Sequence, residues 1–334
     1  MGKRIVICCD GTWNTLQQRA PTNVVKVAQA VAQRDDQLVF YHEGVGTRPF
    51  ERVLGGAFRF GLSRNVRAAY RFLVEHYEPG DELFFFGFSR GAYTARSTVG
   101  FVRNCGILRR EEIGRIDEAY RLYRDRSPST HPAGDQAREF RRAYACEDVT
   151  PVRFIGVWDT VGALGIPISG FRLVNLVNRR WQFHDTKLTS TVAAAFQALA
   201  IDERRGPFRP AIWAPDGAPR QRREQTWFPG CHSDVGGGYP EPCLAQLSLL
   251  WMVERAESCG LVFTPGAIPT RPEAREAPAH DSRTFFYKLL RPYVRQLGVT
   301  DPAKEDVAAE AVARMESDPA YRPENLVDFL RRRD

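Results

Sequence analysis

A serine sits between two glycines in Gly87-Phe88-Ser89-Arg90-Gly91, directly after the apolar run at 83–86. The pattern G-x-S-x-G suits a nucleophile carried on a sharp turn from strand to helix. Such a turn forces the serine into a backbone conformation that neighbouring side chains would obstruct, and glycines on both sides remove the obstruction. The turn lifts Oγ above the sheet. It also places the Arg90 amide at a helix N-terminus, where it can hold an oxyanion. The simpler alternative is a glycine-bounded turn with a helix-capping serine. An apolar strand before it and a helical pattern after it favour the nucleophile.

A serine hydroxyl is a weak nucleophile without a base. The chain offers His42, His76, His131, His184, His232 and His280. Only His42 and His232 are expected at strand ends, and only His232 follows the serine, as the chain order serine, acid, histidine requires. The acid should close an intervening strand, and the strand at 152–158 ends in Asp159. Its role would be to hold the His232 tautomer and stabilise the imidazolium; the alternative is a cap on the following turn. Asp10 ends the first strand but precedes the serine. Asp234 is two residues from His232 and would need a sharp local turn to reach its ring. Both stand as rivals for the acid or as supporting residues. The amides of Gly11 and Thr12, just past the first strand, are placed to add an oxyanion donor. Gly236-Gly237-Gly238 permits either a close backbone approach beside His232 or a plain turn.

Strands must carry these residues. Continuous apolar runs at 3–9, 37–42, 83–88 and 152–158 read as buried parallel strands, with further strands expected at 210–213 and 225–228. Helical periodicity appears at 63–77, 92–102 and 244–258, and Thr22-Asn23 reads as the cap of a helix reaching about residue 33. The alanine-rich run 191–201 is expected to be helical, as are patches at 304–315 and 324–332. Residues 111–148 are rich in Glu, Arg and Asp and read as two charged helices around a loop, a helical insertion or cap. The segment 165–190 reads as loop with short helices. Strands alternating with helices predict an α/β fold, a mostly parallel sheet covered on both faces, with functional residues at the carboxyl ends of strands. One domain over residues 1–334 is expected, with a core at about 3–260 and a helical extension at about 265–334.

At 43% hydrophobic and 26% charged, the 334 residues can bury a full core. The net charge of +7 is scattered and reads as a solvated face, so nucleic acid is not expected as a partner. Seven cysteines make an odd count with no C-x-x-C pair, so neither a disulfide framework nor a metal site is expected, and a reducing compartment fits. The start, MGKRIVICCDG, lacks an apolar segment of signal-peptide length, and no run of apolar residues is long enough to span a bilayer. The expectation is a cytoplasmic protein without cofactor, oligomeric state unspecified. The first strand followed by Asp10-Gly11-Thr12 has the form of a phosphatase turn, but Cys8 stands where the nucleophilic carboxylate belongs. The elbow also lacks the lysine of a phosphate-binding loop. A non-catalytic scaffold is the remaining rival class.

Four stretches together, CCDGTWN (8–14), GFSRGAYTAR (87–96), GVWDTVGALG (156–165) and GCHSDVGGGY (230–239), resemble an α/β-hydrolase domain family that contains bacterial type VI secretion phospholipase effectors. YHEGVGT (41–47) fits as well, and the likeness spans roughly residues 3–260. The resemblance implies an α/β-hydrolase core with esterase or phospholipase chemistry. It carries the nucleophile to Ser89 and the base to His232, and the acid less securely to Asp159. It also allows export by a signal-independent secretion system. The expected substrate is an ester, lipid or phospholipid met in transient contact with a membrane surface. A small soluble or polymeric ester is the alternative. Phe171, Leu173, Val174, Leu176, Val177 and Trp181, with Arg172, Arg179 and Arg180, suit either a basic, apolar cap facing lipid or a helix packed on the core.

Overall fold

A computed structural model of the chain describes residues 2–11, 20–44, 57–125, 127–161, 187–215, 220–269, 277–283, 285–289 and 291–333. Among these, the strands are β1 (Arg4–Cys9), β2 (Gln37–His42), β3 (Glu82–Phe88), β4 (Val152–Trp158), β5 (Val192–Ala200), β6 (Arg222–Phe228) and β7 (Glu305–Val307). They form one sheet in the order β2-β1-β3-β4-β5-β6-β7, with every neighbouring pair parallel. The order reverses between β1 and β3, and the crevice beyond the strand ends at such a switch point is where α/β sheets place ligands.

The helices are α1 (Asn23–Ala30), α2 (Ala57–His76), α3 (Arg90–Cys105), α4 (Ile116–Arg124), α5 (Asp135–Tyr144), α6 (His232–Gly236), α7 (Cys243–Ser258), α8 (Ala309–Ser317) and α9 (Glu324–Arg331). The unbroken apolar run of β3 has a simple cause: both of its faces are covered. Phe84, Phe86 and Phe88 cluster with residues of α1 and α7. Leu83 and Phe85 cluster with residues of α2 and α3 on the other face. Each such buried phenylalanine contributes about 1.5–3 kcal/mol. Thr22 caps α1 as expected, its hydroxyl accepting from the Val25 amide at 3.2 Å. The charged stretch 111–148 holds two short 3-10 turns, α4 and α5. Ile116, Ala119 and Phe140 join the α2–α3 cluster, so these helices thicken one layer of the fold.

Three expectations fail. Residues 191–201 are not a helix, because Val192–Ala200 is β5, an interior strand bonded to β4 and β6. Alanine's helix preference amounts to tenths of a kcal/mol per residue. Two complete ladders and burial of every residue except Ala193 outweigh it. Residues 210–213 are not a strand. Only a single bridge joins Pro210 to Val161, and a proline has no amide to donate to a ladder. Residues 304–315 are not one helix, since β7 occupies their first turn and α8 begins at Ala309. The Gln225 amide donates to Lys304 O at 2.9 Å and the Ala308 amide to Trp227 O at 2.9 Å, which ties the C-terminal part of the chain to the sheet. Most of the 165–190 segment, with His184 and the candidate lipid-facing residues 171–181, lies outside the described residues, as does 45–47 of the YHEGVGT stretch. Among the described residues no helix is long and apolar enough to cross a membrane.

Candidate active site

Ser89 stands between β3 and α3 with φ 57° and ψ −119°. Among the described residues only Ser89 and Asp159, at φ 38°, combine a positive φ with a side chain. Backbone held in this region costs of order 1–3 kcal/mol and persists where the surroundings enforce it. The elbow glycines are sterically required. A Cβ on Gly91 would lie 2.1 Å from Cys9 O, and one on Gly87 would lie 2.6 Å from the Ala92 Cα. The Ser89 amide donates to Trp158 O at 3.0 Å, which locks the turn onto β4. Arg90 opens α3, in the first turn where amides have no acceptor within the helix.

His232 opens α6, just beyond β6. Its Nε2 lies 2.8 Å from Ser89 Oγ and its Nδ1 lies 2.5 Å from Asp159 Oδ2. Those partners set the tautomer: Nδ1–H donates to the carboxylate, leaving Nε2 to accept from the serine hydroxyl. Phe88 and Phe208 flank the imidazole with ring centroids at 4.6 and 5.0 Å, and the ring is almost wholly buried. Gly236 also serves this packing, because a Cβ there would come within 2.0 Å of the Phe88 ring.

Asp159 ends β4 with its side chain fully buried. Besides His232 it takes an amide from Ala200 at 3.1 Å and a two-pronged ion pair from Arg295, at 2.6 and 2.9 Å. Burial alone would push this carboxyl up. The Arg295 charge and the His232 hydrogen bond outweigh burial and hold it well below the usual carboxylate range. A second buried carboxylate, Glu203, accepts from the His232 amide at 3.3 Å, from Ser282 Oγ at 3.1 Å and from Arg205 at 2.8 Å. Burial pushes it up too, but the Arg205 hydrogen bonds and charge hold it below its ordinary value.

Ser89, Asp159 and His232 therefore come together from the ends of β3, β4 and β6, while the rivals for the acid point elsewhere. Asp10 accepts from the Gly11 amide at 2.6 Å, from Thr22 Oγ1 at 2.8 Å and from the Tyr41 hydroxyl at 2.8 Å, so it builds the corner after β1. That corrects the expectation for Gly11: its N–H is directed at a carboxylate one residue away instead of toward an oxyanion. Thr12 lies outside the described residues. Asp234 accepts from the Cys231 amide at 2.9 Å, closing the first turn of α6, and from His280 Nδ1 at 2.6 Å. His42 bonds to Glu43 O at the end of β2. Arg295 and Glu203 escape the sequence reading. Arg295 is 136 residues from its partner, and only its apolar neighbours Val294 and Leu297 mark it as a residue that could be buried. A groove along β6, β7 and α7, lined by Arg223, Trp251 and Asp306 among others, includes none of these catalytic candidates. Among the described residues no cluster of three or more His, Cys, Asp or Glu is placed to hold a metal.

A family model described as T6SS, phospholipase effector Tle1-like, catalytic domain, matches residues 3–255. The uncharacterized protein YEL023C of Saccharomyces cerevisiae is 28% identical over 236 residues, which take in 64% of this chain and 33% of that protein. The chain thus spans about a third of the length of that curated relative. The crystal structure of an uncharacterized protein from Pseudomonas aeruginosa superposes with a TM-score of 0.50 at 18% identity, over 81% of this chain and 48% of that one. At that identity the likeness concerns the fold. The Tle1 effector bound to the VgrG spike of the type 6 secretion system gives a TM-score of 0.39 at 20% identity, over 72% of this chain and 51% of that one.

Proposed function

This chain belongs to the Tle1-like catalytic-domain family of type VI secretion phospholipase effectors, and from that membership we propose that it cleaves a carboxylic ester of a lipid through an acyl-enzyme on Ser89. His232 Nε2 takes the Ser89 proton as Oγ attacks the acyl carbon. The Arg90 amide donates to the resulting oxyanion. Asp159 keeps Nδ1 protonated and stabilises the imidazolium. Collapse of the tetrahedral intermediate expels the alcohol, which leaves with the proton from Nε2. Water then gives its proton to Nε2 and attacks the acyl group, and a second collapse frees the acid and returns the proton to Ser89. No step needs a metal or an organic cofactor. The same reading takes residues 1–334 as one α/β-hydrolase domain that meets its lipid at a membrane surface.

The observation that carries the reading is the continuous relay from Ser89 Oγ through His232 to Asp159, at 2.8 and 2.5 Å, with the serine on an enforced positive-φ turn. A fluorophosphonate probe should label Ser89 in the wild type and leave Ser89→Ala unlabelled. Hydrolysis of p-nitrophenyl esters of graded chain length and of phospholipid vesicles then ranks the substrates. A folded wild type that neither labels nor turns over any of them would sink the reading. Preference for short soluble esters over vesicles would move the substrate class away from lipid.

A further inference from the structure

The arginine on Asp159 comes from a part of the chain beyond the family match, which ends at 255. Arg295 is 1% exposed. Its Nη1 donates to Asp159 Oδ1 at 2.6 Å and to Ala200 O at 2.9 Å. Its Nη2 donates to Asp159 Oδ2 at 2.9 Å and to Phe208 O at 2.6 Å. Its Nε has no acceptor among the described residues. The planar fork therefore addresses both oxygens of one carboxylate, a geometry that arginine provides and lysine does not. Oδ2 is shared between Nη2 and His232 Nδ1, so the plane in which the carboxylate meets the imidazole is set by the guanidinium. The segment that brings Arg295 is itself moored beside His232. The His280 amide and Nδ1 donate to Asp234 at 3.1 and 2.6 Å, and Ser282 Oγ donates to Glu203, the carboxylate on the His232 amide.

We propose that Arg295 is a positioning residue for the reaction: it fixes the Asp159 carboxylate in the plane that receives His232 Nδ1, and so orients the base that serves Ser89. The proposal rests on the serine-hydrolase reading above. A mere strut between the end of β5 and the loop after it would need only the carbonyls of Ala200 and Phe208, and its loss would lower stability without singling out chemistry.

Charge supplies a second signature. Asp159 is faced by His232 from α6 and by Arg295 from the C-terminal segment, with Glu203 and its partner Arg205 beyond them in the loop after β5. Removing the cation lets the Asp159–His232 pair take up a proton at higher pH, so the acid limb of kcat/KM moves upward.

The test compares wild type, Arg295→Lys, Arg295→Gln, Asp159→Asn and the double variant Asp159→Asn/Arg295→Gln in ester hydrolysis across pH. Arg295→Gln should lose about 100-fold in kcat, and Arg295→Lys about 10-fold, with KM within about threefold. The acid limb should rise by about one pH unit in Arg295→Gln and less in Arg295→Lys, which keeps the charge. The double variant should be no more than about threefold slower than Asp159→Asn, because Arg295 then has no carboxylate to place. Wild-type kcat and an unmoved acid limb in both single variants, or single-variant losses that multiply in the double variant, would overturn the proposal. Where Arg295→Gln does not fold, Arg295→Lys decides by the same two readouts. A wild type without labelling or turnover counts against the serine-hydrolase reading itself. Wild-type turnover with indifferent Arg295 variants counts against the proposal alone.

Discussion

Two histidine–aspartate pairs lie close together in this molecule, and their difference is what singles out one of them for the proposed chemistry. His232 meets Asp159 through Nδ1 at 2.5 Å, and His280 meets Asp234 through Nδ1 at 2.6 Å. The contact itself does not distinguish them. The far nitrogen does: Nε2 of His232 faces Ser89 Oγ at 2.8 Å, whereas Nε2 of His280 faces Glu241 at 3.3 Å and its ring stacks on Tyr239. The carboxylates differ as well. Asp159 is ion-paired with a buried arginine on a strained strand end, while Asp234 accepts two backbone amides and organises a turn. The His280 side chain is 26% exposed against 6% for His232, so water screens its pair. One pair is joined to a serine hydroxyl, as the proposed proton transfer requires, and the other fastens a loop.

The comparison breaks most directly at the serine. Ser89→Ala should lower kcat for ester hydrolysis by about 10⁴- to 10⁶-fold with thermal stability retained. Activity within tenfold of wild type would remove the distinction between the pairs. Asp159→Asn should cost about 10⁴-fold in kcat. It should also cost roughly 3–5 kcal/mol in stability, because it leaves Arg295 buried without its counter-charge. Urea unfolding of the folded variant, beside its kinetics, measures both. In the other pair, Asp234→Asn should cost about 1 kcal/mol through the α6 cap while kcat falls by less than about tenfold. A loss as large as that of Asp159→Asn would show that Asp234 belongs to the reactive set.

Acid titration sharpens the contrast through stability. The Asp159 carboxyl is held below its usual value in the folded state, so it stabilises the fold fully above the unfolded carboxyl range, near pH 3.9, and that contribution is lost as pH falls below it. Urea midpoints between pH 7 and pH 3 should fall more steeply for wild type than for Asp159→Asn, and parallel curves would contradict this. The smallest effect belongs to His280→Asn. Turnover within about twofold and a stability loss of under about 1 kcal/mol are expected for a pair whose histidine is partly exposed, as read by kinetics and melting.

How far these features were legible follows from how local their causes are. The elbow at 87–91 could be read because glycine, serine and glycine at that spacing follow from one steric requirement. Asp159 and His232 were legible because buried parallel strands are unbroken apolar runs, and the polar residue that ends each run marks the rim of the sheet. β5 was not legible, because VAAAFQALA satisfies helix propensity and only the slot between β4 and β6 makes it a strand. The failure of Gly11 as an expected donor turned on where the Asp10 side chain folds back, which composition and spacing do not encode.

The amino-acid sequence by itself determined the strand-end serine, acid and histidine and the chain order that makes them compatible, because each is set by short-range sterics or by one strand's burial. Tertiary structure alone decided what surrounds them. The contact from Arg295 to Asp159 joins residues 136 apart, β7 completes the sheet from the last part of the chain, and Glu203 reaches the His232 amide from a loop without a motif. Such contacts arise when distant segments share one buried volume in which every charge must find a partner, and no local run of residues records that requirement.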